Sequence, residues 1–226
     1  LGNVGGWLRA RLKRRKVKVI SFDRKQKDSS LQEVIAKSGV VFLCLRPQNL
    51  TRLFKELDTN AIAGKVFITA AAAVPMQKYY RSLGKVPLVR IMPSLHGRSP
   101  LFFSVGEYAS SQKAQVIKLL NTLGATEEIP EKEMDAYMYL VSSGAAVVEE
   151  FLAQYAEAVA AKGKLPKQKA AQMLFKALNI PQTDIAKIKT KAGITAAGII
   201  AIRKNKKFFK EVVMAMAAQA AKIQKI

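Results

Sequence analysis

Gly2-Asn3-Val4-Gly5, followed directly by a basic amphipathic run from Trp7 to about Arg15, is the stretch on which the reading of this chain turns. The four residues match the end of a G-x-G-x-x-G fingerprint. Glycines at such a turn let the backbone approach a pyrophosphate, and the helix behind them offers free N–H groups and the positive end of its dipole to the anion. A glycine-rich helix start also occurs with no ligand, so the turn takes its meaning from the residues downstream of it.

Downstream, Val17-Lys18-Val19-Ile20-Ser21-Phe22 alternates as a strand and ends at Asp23-Arg24-Lys25. That is about twenty residues beyond Gly2, where a dinucleotide fold places its ribose-binding residue. Asp23 suits a ribose 2′-OH, whereas Arg24, Lys25 and Lys27 suit a 2′-phosphate through charge-assisted donors. The pattern favours NADP as cofactor, with NAD as the alternative. The strand and first glycine of the fingerprint would lie ahead of Leu1, and in the doubly wound order that strand is central. The expectation is a chain shortened relative to its parent, with two strands left unpaired.

The chain has 226 residues, half of them hydrophobic, enough for a substantial core in one large or two small domains. Its longest apolar stretches, Gly39 to Leu45 and Val66 to Val74, are too short to span a bilayer, and the charged N-terminal region does not read as a signal peptide. A cytoplasmic location is expected. The single cysteine, Cys44, lies in a strand-like run and reads as a buried inert thiol. One histidine, His96, and no Cys/His cluster argue against a metal site. The net charge of +22 is concentrated in residues 1–125, which hold 22 Lys and Arg against 6 Asp and Glu. Such a field attracts polyanions, but it is also what a lysine-rich solvated surface looks like, and no recognisable nucleic-acid motif accompanies it. Nucleic acid is therefore not the expected partner.

Strand-like runs at about 17–22, 39–45, 65–70, 87–92 and 101–105 alternate with helical runs at about 7–15, 30–36, 48–57, 75–83 and 110–123. This is the pattern of a parallel sheet covered by helices on both faces. From about Lys132 onward alanine, leucine and lysine recur at 3.6-residue spacing, and the second half reads as all-helical. Met134 to Ala161 reads as one long helix, apolar on more than one face through Leu140, Val148, Leu152, Tyr155 and Val159. Such a helix needs cover from outside its own small domain, and a homodimer is expected. Pro166 opens the next helix, Asn179-Ile180-Pro181 closes it, and a last helix runs from about Lys206 to Lys225.

Four segments, in order, make the chain resemble the pyrroline-5-carboxylate reductase family over essentially its whole length. Gly2-Asn3-Val4-Gly5 is similar to the family's G-x-G-N-M-G, and Val41-Phe42-Leu43-Cys44-Leu45-Arg46-Pro47-Gln48 to its strand ending in K-P-Q. Val89-Arg90-Ile91-Met92-Pro93-Ser94 resembles R-x-M-P-N. The run Lys189-Thr190-Lys191-Ala192-Gly193-Ile194-Thr195-Ala196-Ala197-Gly198 is similar to the T-S-P-G-G-T-T-x-x-G substrate loop. The resemblance implies an α/β fold: an NAD(P)-binding Rossmann domain over residues 1–127, its first strand absent, followed by an all-helical dimerisation and substrate domain over 128–226. It implies reduction of a cyclic imine acid, by default L-1-pyrroline-5-carboxylate to L-proline, and so a place in proline biosynthesis.

On that resemblance the cofactor would be met by Gly2, Asn3, Val4, Gly5, Asp23, Arg24, Arg46, Pro47, Gln48, Met92 and Pro93. The substrate would be met by Thr190, Ala192, Gly193 and Thr195. Thr195 is the expected catalytic side chain, donating to the substrate carboxylate or helping deliver the ring-nitrogen proton; as an N-cap for the helix beginning at Ala196 it would serve structure instead. Pro47 and Gln48 read equally well as a strand terminator. The chain departs from the family at Ser94-Leu95-His96, at Val141-Ser142-Ser143-Gly144-Ala145-Ala146 in place of S-G-S-G-P-A, and at Met214, Gln219 and Lys222 in the last helix. Its K-x-G-I-T loop looks like that of the divergent late-competence branch, whose members need not make proline. Two functions stand as alternatives: an imine-acid reductase, or a catalytically impaired NAD(P)-binding regulator or scaffold of the same fold.

Overall fold

The computed structural model of the chain describes residues 1–24, 30–58, 60–93, 99–178 and 203–225. They fall into two compact units, Leu1–Ser142 with Ala218–Ile226, and Ser143–Ala217.

The first unit is α/β. Helix α1 (Asn3–Arg14) begins at the glycine turn, four residues earlier than the amphipathic pattern indicates, and carries Arg11, Lys13 and Arg14 in its last turn, where cations complement the dipole. Helix α2 (Leu31–Ala36) is short and held by a capping box in which Ser30 and Glu33 satisfy one another's backbone N–H groups. Strand β1 (Val40–Leu43) leads through a 3-10 turn at Pro47–Asn49 into α3 (Leu50–Glu56). Then come β2 (Val66–Thr69), α4 (Met76–Leu83), β3 (Leu88–Met92), β4 (Leu101–Val105), α5 (Lys113–Asn121), β5 (Thr126–Glu128) and α6 (Met134–Tyr137).

The sheet order is β1-β2-β3-β4-β5. The first three strands are parallel, with Val41 opposite Phe67 and Ile68 opposite Val89. At β4 the expected parallel run is broken: Ile91 faces Phe103 in an antiparallel pair. Parallel neighbours need a crossover of about a dozen residues or more, and the stretch from Pro93 to Pro100 is too short for one. Strand β5 was not legible, because Thr-Glu-Glu has no apolar alternation; its pairing with β4 is carried by the backbone, with Leu101 donating to Ala125 and Ile129 to Phe103, each at 2.8 Å.

Alternation along the buried strands sorts the core onto two faces. Phe67 and Leu88 join Leu50, Leu53, Val74 and Tyr79 on one side, under α3 and α4. Ile68, Val89 and Ile91 join Leu8, Leu12, Val116 and Leu120 on the other, under α1 and α5. Each such side chain contributes about 1.5–3 kcal/mol by leaving water. Gly106 admits the closest approach in the unit: a Cβ there would lie 2.0 Å from the Tyr80 hydroxyl and 2.8 Å from the Leu88 carbonyl oxygen.

The expected strand at 17–22 does not form. Val17 and Val19 pack on the α1 face, but a cavity of about 1370 Å³ is bounded by this run and by β1, which is the edge strand of the sheet.

In the second unit α7 (Ser143–Gly163) and α8 (Lys167–Ala177) pack through Ala156, Ala160 and Ala170, whose small side chains let the helices approach closely. Helix α7 ends where Lys164 turns to φ 53° and Leu165 donates back to Ala160 at 2.9 Å. Met134 to Ala161 is therefore not one regular helix: a π-helical turn at Met138–Ser142 separates α6 from α7. The last helix, α9 (Lys206–Lys225), has the expected bounds, and its Ile223 packs on the core of the first unit. No described helix is long and apolar enough to cross a membrane. The closing residues Asn179-Ile180-Pro181 lie outside the described residues.

Candidate functional site

The N-terminus of α1 opens on the cavity beside β1. Gly2 is the N-cap and no side chain caps it; its carbonyl accepts from Gly6 at 2.8 Å. The N–H groups ahead of Gly6 have no partner within the helix, so this end presents donors and a positive dipole. Gly5 is buried, and a Cβ there would stand 3.4 Å from the Cys44 Cβ and 3.6 Å from the Leu1 side chain, in ordinary contact with both. A Cβ at Gly2 would meet nothing within 4 Å. The cavity is apolar along Val19, Val40, Phe42 and Cys44, while Arg9, Arg24, Arg46 and Arg52 contribute cationic groups to its lining.

Of the sequence-assigned cofactor residues, Gly2, Gly5, Asp23, Arg24 and Arg46 line this cavity. Asn3 and Val4 lie on the first turn of α1, Pro47 and Gln48 on the 3-10 turn after β1, and Met92 and Pro93 at the end of β3; none of these six forms part of its wall. Met92 packs with Phe102, Ile129 and Met134. Asp23 receives the Leu1 amino group, and Arg24 is paired with Glu56 at 2.5 Å. Glu56 also holds Arg52 at 3.0 Å, and these two arginines, Arg24 first, hold its carboxyl below the usual carboxylate range. Lys25, Lys27, His96, Thr190, Ala192, Gly193 and Thr195 lie outside the described residues.

Sequence reasoning missed a polar cluster around Arg90, at the middle of β3. Arg90 is buried and reaches Glu131 at 3.2 Å and Asp135 at 3.3 Å. Glu131 in turn accepts from the Met76 backbone N–H at 2.5 Å, capping α4, and Gln224 of α9 donates to Asp135 at 3.2 Å. The spacing of Glu131 and Asp135, four apart, was the available signal. Beneath it the Thr69 and Tyr79 hydroxyls share a buried hydrogen bond at 2.5 Å, and burial pushes Tyr79 up to about 12. Burial likewise pushes the Cys44 thiol up to about 11, which makes it a weak nucleophile. Among the described residues no group of His, Cys, Asp and Glu is placed to hold a metal ion.

No family model matches the chain. Individual proteins do match it. Pyrroline-5-carboxylate reductase 3 of Danio rerio is 28% identical over 191 residues, which cover 78% of this chain and 66% of that protein. Pyrroline-5-carboxylate reductase 1 of Bacillus spizizenii is 26% identical over 190 residues, covering 77% and 64%. The chain is a divergent relative of the pyrroline-5-carboxylate reductases. Its matched region spans slightly less than two thirds of the length of these two proteins. The fold agrees: the pyrroline-5-carboxylate reductase of Streptococcus pyogenes superposes with a TM-score of 0.78 at 22% identity, covering 100% of this chain and 96% of that one. The NADP-bound pyrroline carboxylate reductase of Plasmodium falciparum gives 0.76 at 20% identity, covering 100% and 95%. The α/β fold is thus the Rossmann-plus-helical fold of the pyrroline-5-carboxylate reductases.

Proposed function

We propose that the protein is an NADPH-dependent reductase of a cyclic imine acid, with L-1-pyrroline-5-carboxylate as substrate and L-proline as product. The observation that carries the reading is the glycine N-terminus of α1, which no side chain caps and which leaves backbone N–H groups for an anion, with Arg24 after the 17–22 run. The donor set fits a dinucleotide. Backbone N–H groups of the first turn of α1 would hold the pyrophosphate, Asp23 or Arg24 would meet the ribose end, and the Arg46-Pro47-Gln48 turn the segment beyond it. The curated relatives carry this activity in their names, and the Plasmodium falciparum structure holds NADP.

When bound, the cofactor supplies a hydride to the imine carbon, whose protonated nitrogen takes up the electron pair. The chain's own task is placement and exclusion of water. Thr195 with the Thr190, Ala192 and Gly193 backbone would fix the substrate carboxylate. Residues 1–127 would form the cofactor domain and 128–226 the dimerisation and substrate domain. The assembly is a homodimer, supported by the exposed apolar side chains of α7, α8 and α9, among them Val148 at 56%, Met173 at 59% and Met214 at 61%. A single free, half-buried thiol suits a reducing compartment such as the cytosol.

The departures at Val141 to Ala146 and at Met214 favour a second reading, a cofactor-binding regulator without turnover. Two measurements separate them: titration of NADPH alone, and NADPH oxidation with and without pyrroline-5-carboxylate. Binding with substrate-dependent oxidation supports the reductase; binding with none supports the regulator; no binding removes both.

A further inference from the structure

Glu56 stands between the guanidinium groups of Arg24 and Arg52 and gives one carboxylate oxygen to each, Oε2 to Arg24 and Oε1 to Arg52. Arg24 comes from the turn after residue 22, Arg52 from the first turn of α3 and Glu56 from its last residue. Gln32 of α2 braces the arrangement by donating to the Glu56 carbonyl at 3.2 Å. Both arginines line the cavity onto which α1 opens, and Glu56 itself does not.

Two cations around one anion leave a net positive charge, and each guanidinium has donors beyond those spent on the carboxylate. A phosphate monoester carries nearly two negative charges and three acceptor oxygens, which matches a pair of arginine forks better than a carboxylate does. The side chains of Arg24 and Glu56 are over a third exposed and that of Arg52 nearly three quarters, so the native pairing is a weak surface one that a stronger anion displaces.

Resting on the cofactor reading above, we infer that Glu56 is an internal counter-anion: it holds Arg24 and Arg52 ready for the 2′-phosphate of NADPH and competes with that phosphate, and so sets the preference for NADPH over NADH. NADH brings no group to this cluster, so Glu56 stays paired when it binds. A carboxylate that only fastened α3 to the preceding turn would affect both cofactors alike.

The test is a fluorescence titration of NADPH and of NADH, at one ionic strength, into the unaltered chain, Glu56→Gln and Arg52→Gln. Removing one unit of charge about 4 Å from a charged ligand in water corresponds to about a fivefold change in affinity. Glu56→Gln is expected to bind NADPH about fivefold more tightly and Arg52→Gln about fivefold more weakly, with NADH moved by neither. Looser NADPH binding in Glu56→Gln, or equal shifts for both cofactors, overturns the competition. An unaltered chain that binds neither cofactor overturns the cofactor reading itself. Arg52 is the most exposed of the three, so Arg52→Gln keeps the test decisive should Glu56→Gln fold poorly.

Discussion

The Arg90 guanidinium lies 3.2 Å from the Glu131 carboxylate, and that carboxylate also caps α4 through the Met76 N–H. One ion pair therefore ties β3, the start of α4 and the segment entering α6. Because the Arg90 side chain is 7% exposed and that of Glu131 35%, the carboxylate retains water while the guanidinium does not. Arg90→Met should lower stability by about 1–3 kcal/mol, below the range for a fully buried pair, because the two acids left behind stay hydrated. Urea unfolding reads this as a lower midpoint with unchanged slope; a midpoint unmoved by the substitution would mean that the cluster is ornamental.

Gly2 and Gly5 make different predictions although they belong to one motif. Gly5→Ala places a methyl group in ordinary contact 3.4 Å from the Cys44 Cβ, so alanine's better helix propensity should leave stability unchanged or raise it by up to about 1 kcal/mol. Gly2→Ala meets open space and should leave stability within about 0.5 kcal/mol while weakening NADPH binding, because the methyl stands where the pyrophosphate approaches. Thermal melts and NADPH titrations of both variants check the contrast, which fails if Gly2→Ala binds NADPH as tightly as the unaltered chain.

Cys44 gives a pH dependence whose sign comes from its burial. Its thiol is raised from 9.0 to about 11, so the folded chain keeps the proton after the unfolded chain has lost it. This contribution to stability is present below about pH 9 and is lost as pH rises toward 11. Cys44→Ala should flatten the stability profile in that window relative to the unaltered chain. A thiol-directed reagent at pH 8 should modify the native chain more slowly than the unfolded one; equal rates would show an accessible thiolate.

Much of this fold could be read from residue pattern alone, and the exceptions have physical causes. Val40–Leu43, Val66–Thr69 and Leu88–Met92 are apolar runs bounded by turns, and they are strands. Val17 to Phe22 alternates just as well, yet it forms no strand, because alternation reports a half-buried surface and not the presence of a pairing partner. Gly2-Asn3-Val4-Gly5 marks the start of α1, as the motif indicates. The competition at Arg24 was invisible, since Glu56 lies 32 residues away and only folding brings α3 beside that turn. The partners of Arg90 were hidden for the same reason, at separations of 41 and 45 residues.

The exposed apolar side chains of α7 and α9 predict association. If these side chains are the dimer contact, Val148→Lys or Met214→Lys should convert a dimer to a monomer at micromolar concentration, because a charge brought into an apolar contact is left unpaired. Size-exclusion chromatography with light scattering reads the mass directly. An unaltered chain that is monomeric and fully helical at that concentration would show that this surface is covered in another way.

The proposed reductase would hold its imine acid through Gly193, Ile194 and Thr195 and reduce it with a hydride from NADPH. The rate of NADPH oxidation at varied pyrroline-5-carboxylate, measured for the unaltered chain and for Thr195→Ala, reads both halves of that statement at once. Oxidation should require the imine acid, and kcat/KM should fall about a hundredfold in Thr195→Ala, the loss of about 2.7 kcal/mol expected for one preorganised donor, with NADPH affinity unchanged. An unaltered chain that binds NADPH and never oxidises it in the presence of the imine acid would not be a reductase of this substrate, and a cofactor-binding regulator would stand in its place.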